Sequence, residues 1–145
     1  MRSLIVGVLF AMVALAMSSA TAEAQNNKKP IKATNTWRGK SGDENLKIKA
    51  PAAGFITEPK AFDELWKAWR PTEKTPAVDF KTSIVVVSLA GGPNTVSASF
   101  FVNDQGNVTA QAISTLIGGP GFGYALDVLP RAGIKSIEGK AIDAK

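Results

Sequence analysis

The chain has 145 residues, 45% of them hydrophobic, and carries 17 basic against 12 acidic side chains for a net charge of +5. That length suits one domain with a core of its own. With no histidine and no cysteine, it excludes Ser-His-Asp triads, Cys-His nucleophiles, disulfides and the usual zinc-ligand sets.

Residues 1–24 read as a secretory signal peptide. Arg2 is a short positive lead, Leu4 to Met17 is apolar, and small residues then run to Ala22-Glu23-Ala24, an A-x-A cleavage site. The apolar run is shorter than the ~20 residues that span a bilayer, and no later stretch approaches that length. Cleavage after Ala24 leaves residues 25–145 as an exported protein with no transmembrane segment. An exported chain without disulfides fits a bacterial periplasm or medium better than a eukaryotic secretory route. Gln25 to Pro30 is polar and basic and reads as a flexible lead-in, followed by a single domain over 31–145.

Within that domain, Ile31 to Trp37 and Asn45 to Lys49 read as short strands around a turn from Arg38 to Glu44. In the segment TEPKAFDELWKAWRP, Phe62, Leu65, Trp66 and Trp69 recur at helical spacing. A helix is expected over Pro59 to Arg70, capped by Thr57 and stopped by Pro71. Its tryptophans are assigned to the core, where one helix face must hold to a sheet, rather than to a ligand platform. Ser83 to Ala90 has a continuous apolar centre, Ile84 to Val87, which places it mid-sheet. After Gly91-Gly92, the segment from Val96 to Val102 alternates with period two and reads as a strand. Gly91-Gly92 is therefore read as a hairpin turn and not a phosphate loop, which would need a helix to follow. Asn103 to Gly106 turns a hairpin into a strand from Val108 to Ile113. Tyr124 to Leu129 and Ile134 to Ile142 complete the set. The expected fold is α+β: a mainly antiparallel β-sheet or half-open sandwich of roughly six to eight strands with one amphipathic helix packed on it.

No catalytic constellation emerges. Asp43/Glu44 and Asp63/Glu64 are sequence neighbours that do not converge on one point, and the chain from residue 25 onward has no S-x-x-K for a Ser-Lys dyad. Nothing calls for a cofactor or a metal. The lysines are scattered, with no Arg-rich stripe and interleaved aromatics of a nucleic-acid surface. The glycine-bearing loops are the candidate contact surface: Gly91, Gly92, Pro93 and Asn94, with Gly118, Gly119, Pro120, Gly121, Phe122 and Gly123. The two loops are expected at one end of the sheet.

Leu65-Trp66 with Trp69, then Val78-Asp79-Phe80, the Val-rich strand, Gly91-Gly92 and Leu129-Pro130-Arg131 together resemble the C-terminal domain of the PrcB family, an accessory subunit of a bacterial surface protease complex. The resemblance covers roughly Phe55 to Ile142 and departs at Pro93-Asn94, where the family has a tyrosine after its glycines. It implies a small, non-catalytic, exported β-rich domain acting through protein contacts with another envelope or secreted protein. The alternative is a basic module binding an anionic glycan, lipid head group or nucleic acid. A third reading is an atypical His-free hydrolase using carboxylates or a Ser-Lys pair, for which Asp79 and Ser83 are the positions to mutate.

Overall fold

A helix and two β-sheets stack as three layers in the computed structural model, which describes residues 27–143. The expected signal peptide lies outside the described residues. The described elements are strands β1 (Lys29–Ile31), β2 (Asn35–Ser41), β3 (Phe55–Ile56), β4 (Ser83–Gly91), β5 (Val96–Val102), β6 (Asn107–Ser114), β7 (Phe122–Pro130), β8 (Ser136–Ile137) and β9 (Lys140–Ala141) and helix α1 (Pro59–Trp69). One sheet has the order β2-β7-β4-β3 and the other β1-β5-β6-β8-β9. All pairings are antiparallel except β6 with β8. The α+β sandwich expected from the sequence is the fold observed.

The four-stranded sheet is the middle layer, and alternation along its central strands assigns each side chain to one of two cores. Val85, Phe122, Tyr124, Leu126 and Val128 pack with Phe62, Leu65, Trp66 and Trp69 of α1. Ile84, Val86 and Leu129 face the other way, against Phe100, Val108 and Ile137 of the second sheet. Every residue of β7 from Phe122 to Leu129 is buried. A strand covered on both faces has no polar side, which explains its nearly uninterrupted apolar sequence.

Helix α1 is fastened by its tryptophans. Trp69 packs against Tyr124 at 4.7 Å with the rings tilted and meets Phe122 edge-on at 5.3 Å, while its Nε1 donates to the carbonyl of Leu46 at 2.8 Å. Trp66 meets Trp37 edge-on at 5.3 Å, donates Nε1 to the Glu73 carbonyl at 3.2 Å, and lies under the Arg70 guanidinium. Each ring thus buries its apolar body with its one donor satisfied.

Several boundaries differ from the sequence reading. Gly91-Gly92 does not turn a hairpin: β4 and β5 belong to different sheets, and residues 92–95 carry the chain across the sandwich. Both neighbours of β4 are remote in sequence, Val86 pairing with Phe55 on one side and Asp127 on the other. Asn45 to Lys49 is part of a 3-10 turn, Glu44–Lys49, because the Asp43 carboxylate accepts from the Asn45 amide at 2.9 Å and starts it. Strand β2 runs through most of the expected turn, since its seven residues pair along β7. Strand β1 begins at Lys29, inside the expected flexible lead-in, where it pairs with Val102. The helix N-cap is Glu58, without a side-chain bond, and not Thr57. Ile134 to Ile142 forms the small β8–β9 hairpin rather than one strand.

Trp69→Ala is expected to cost about 3–5 kcal/mol of stability, the range for deleting a large buried aromatic. Lys67→Ala, which removes an exposed partner of Asp63, is expected to leave the urea midpoint almost unchanged. Similar midpoints for the two variants would contradict the assignment of the tryptophan face to the core.

Candidate functional site: an uncharged open edge beside the glycine corner

The two glycine-bearing loops meet at one end of the sandwich. Asn94 is buried at 4% exposure between them. Its Nδ2 donates to the carbonyls of Gly91 at 2.5 Å and Ile117 at 3.1 Å. Its Oδ1 accepts from Thr115 Oγ1 at 2.8 Å and the Ile117 amide at 2.7 Å. The Gly92 amide donates to the Gly121 carbonyl at 2.8 Å, and the Gly121 amide to Glu44 Oε1 at 3.2 Å. A Cβ on Gly121 would stand 2.1 Å from the Ser41 carbonyl oxygen, and one on Gly123 only 1.7 Å from that of Asn94. These glycines admit neighbouring backbone of the same chain.

Of the ten residues expected to form a contact surface, Asn94, Gly121, Phe122 and Gly123 are buried. Phe122 and Gly123 open β7, and Phe122 belongs to the helix-side core. Gly92 and Pro93 are half-buried, leaving Gly91, Gly118, Gly119 and Pro120 exposed. The loops converge as expected, but the Gly92 and Ile117 amides bond within the corner and the Gly121 amide bonds Glu44.

Next to this corner lies a surface the glycine reading passed over. Strand β8 covers β6 only at Asn107 and Val108. The Glu138 amide then donates to the Val108 carbonyl at 2.9 Å, and the Glu138 carboxylate accepts the Ala110 amide at 2.5 Å. Glu138 does this from a left-handed backbone, φ 49°, which is uncommon for a residue with a side chain. Beyond it, no described residue pairs with this side of the strand. The Ala110 amide points away from β5, so the ladder's alternation turns the amides and carbonyls of Ala112 and Ser114 outward too. On the other side, the Thr115 amide donates to the Thr95 carbonyl at 3.2 Å. Ile113 on this strand is 73% exposed, and Leu116 and Ile117 just past it are 97% and 52% exposed.

This edge also lacks charge. Between Lys81 and Asp127 the sequence holds one charged residue, Asp104, and that one sits in the β5–β6 turn at the opposite end of β6. Exposed edges are usually guarded by lysine, proline or extreme shortness. The other edge strands follow that pattern: β1, β3 and β9 have two or three residues, and β2 carries Arg38 and Lys40. The free half of β6 has none of these guards. The charge-free run was readable in the sequence; that it formed an uncovered edge was not, because the partner that stops at Val108 lies about 30 residues later.

The residues of the hydrolase reading hold turns. Asp79 accepts from the Lys81 amide and from Thr82 Oγ1, both at 3.0 Å, and Ser83 begins β4. Asp127 is different. It is 2% exposed, Oδ1 accepts from Thr36 Oγ1 at 2.6 Å, and Oδ2 has no partner among the described residues. Burial raises its pKa above the ordinary carboxylate value, opposed by the Thr36 hydrogen bond and by Arg38. Among the described residues no three His, Cys, Asp or Glu side chains group to hold a metal ion, and no helix is long and apolar enough to cross a membrane. Comparison with family models, curated proteins and solved structures returned no match.

Asp127→Asn has a defined pH signature. A folded-state pKa above the unfolded one means that Asp127's favourable contribution is complete below the ordinary carboxylate pKa of about 3.9 and is lost as pH rises through the raised value. The variant should therefore gain on the wild type between about pH 4 and 7, read as urea midpoints across that range. A pH-independent difference would contradict the assignment. Asn94→Ala should cost about 1–3 kcal/mol by leaving buried partners unpaired; an unchanged midpoint would mean the corner is not held by that amide.

Proposed function

We propose that the protein is a non-catalytic, exported binding protein that takes up an extended segment of a partner protein as an added strand on β6. The observation that carries this reading is the free half of β6: outward backbone groups at Ala112 and Ser114 beside exposed Ile113, Leu116 and Ile117, with no charged side chain along it. Strand addition draws affinity from main-chain hydrogen bonds and specificity from flanking side chains, and this edge offers both. A polyanion would require clustered cations, and the lysines lie elsewhere. Export is supported by the signal-like segment at residues 1–24. A place beside an envelope protease complex is what the PrcB resemblance adds.

Photo-crosslinking in cells from a probe at Leu116, with a probe at Lys74 as control, tests the reading. The expected result is a discrete protein adduct from position 116 that persists at high salt and falls at least tenfold with Ala112→Pro, which removes an outward amide. Circular dichroism would verify that this variant folds. Adducts that are polyanions released by salt would favour the basic-surface alternative. Equal yields from both positions, or adducts indifferent to Ala112→Pro, would refute strand addition.

A further inference from the structure

We propose that a cationic notch at the crossover end of the sandwich binds a phosphate group, free or carried by a small ester. The notch has a volume of about 220 Å³ and is lined by Arg38, Gly39 and Lys40 of β2 and by Thr95 of the segment that crosses between the sheets. Arg38, Lys40 and Thr95 are all exposed, so the groups offered to a ligand are open to it. No carboxylate lines the notch.

Strand alternation builds it. Trp37 and Gly39 take the helix side of β2, where Trp37 packs against Phe62 and Trp66 and Gly39 leaves room for the Tyr124 ring. Arg38 and Lys40 therefore share the face turned to the second sheet. Arg38 reaches across to that sheet, its Nε donating to the Val96 carbonyl at 3.0 Å. The Thr95 amide donates to Thr115 Oγ1 at 3.0 Å, and the Thr95 carbonyl accepts the Thr115 amide at 3.2 Å. These bonds fix the frame and leave its donors free. Among the described residues, the terminal guanidinium nitrogens of Arg38, the Lys40 ammonium and the Thr95 hydroxyl have no hydrogen-bond or ion-pair partner. A charge that only guards a strand edge needs no more than to project into water. Arg38 instead folds over the neighbouring sheet and is pinned there by Val96. A planar guanidinium fork donates to two phosphate oxygens at once, and an ammonium and a hydroxyl beside it donate to the others. Two cations suit one phosphate group, whereas a polyanion would need a longer run of them.

The test is a nuclear magnetic resonance titration of the purified protein, at constant ionic strength, with inorganic phosphate, glycerol 3-phosphate, acetate and chloride. Both phosphates should saturate the amide shifts of Arg38 to Lys40 and of Thr95, with acetate and chloride weaker by about tenfold or more. The tighter of the two phosphates identifies the source, free phosphate or an ester. Arg38→Lys keeps the charge but removes the fork and should weaken phosphate about tenfold. Lys40→Gln, at an exposed residue, should weaken it severalfold. Unchanged shifts elsewhere in the amide spectrum would verify that both variants fold. Shifts that fail to saturate, that chloride reproduces, or that are indifferent to both substitutions would overturn the assignment, since each is what general screening of surface charge produces. Acetate as tight as phosphate would overturn it too. Neither Ala112 nor Leu116 lines the notch, so the result is independent of the crosslinking outcome.

Discussion

Strand β7 has no face to give to water, and the arrangement of the other elements follows from that. Eight successive residues, Phe122 to Leu129, are buried, so a layer must lie on each side. The helix covers Phe122, Tyr124, Leu126 and Val128, and the second sheet covers Leu129. Covering the strand this closely sets conditions on its neighbours. The Tyr124 ring lies where a Cβ on Gly39 would stand, 2.3 Å from its hydroxyl, and Gly123 passes against the Asn94 carbonyl. Strand β7 also carries Asp127 into the interior, where the Thr36 hydroxyl is the one hydrogen-bond partner of its carboxylate among the described residues. At roughly 1.5–3 kcal/mol for each large apolar side chain buried, the cores on the two faces readily exceed the cost of holding one carboxyl group there.

Much of this was legible one element at a time. The spacing of Phe62, Leu65, Trp66 and Trp69 defined the helix and its buried face, and Ile84 to Val87 announced an interior strand. What was not legible was which sheet a strand would join. Gly91-Gly92 signals a change of direction, but the choice between hairpin and crossover was made by β7, more than 30 residues on, which takes one side of β4, while β3 takes the other. Asn45 to Lys49 alternates like a strand, yet Asp43 caps it as a 3-10 turn whose Leu46 carbonyl is needed by Trp69. These errors share a cause: local pattern fixes periodicity, while pairing is decided by remote partners.

The candidate site shows the same division. Clustered glycines suggested backbone approaching a ligand, and backbone does approach closely there, but it belongs to Asn94, Ile117 and Ser41. The functional hint lay instead in what the intervening sequence omits. A chain of net charge +5 that places almost no charge between Lys81 and Asp127 concentrates its solvated surface elsewhere. It leaves the far half of β6 without a charged side chain. Glu138 marks where the fold's own covering of that edge ends, its carboxylate taking the last covered amide at Ala110.

Among the described residues, β6 is covered to Ala110 and free beyond it. Amide hydrogen exchange, followed residue by residue in the isolated protein, tests this most directly. The amides of Gln111 and Ile113, bonded to β5, should be protected, those of Ala112 and Ser114 should exchange at nearly unprotected rates, and β7 should be slowest of all. Uniform protection from Ala110 to Ser114 would mean that the edge is already covered and not available to a partner. Uniformly fast exchange would mean that no strand is held there to receive one.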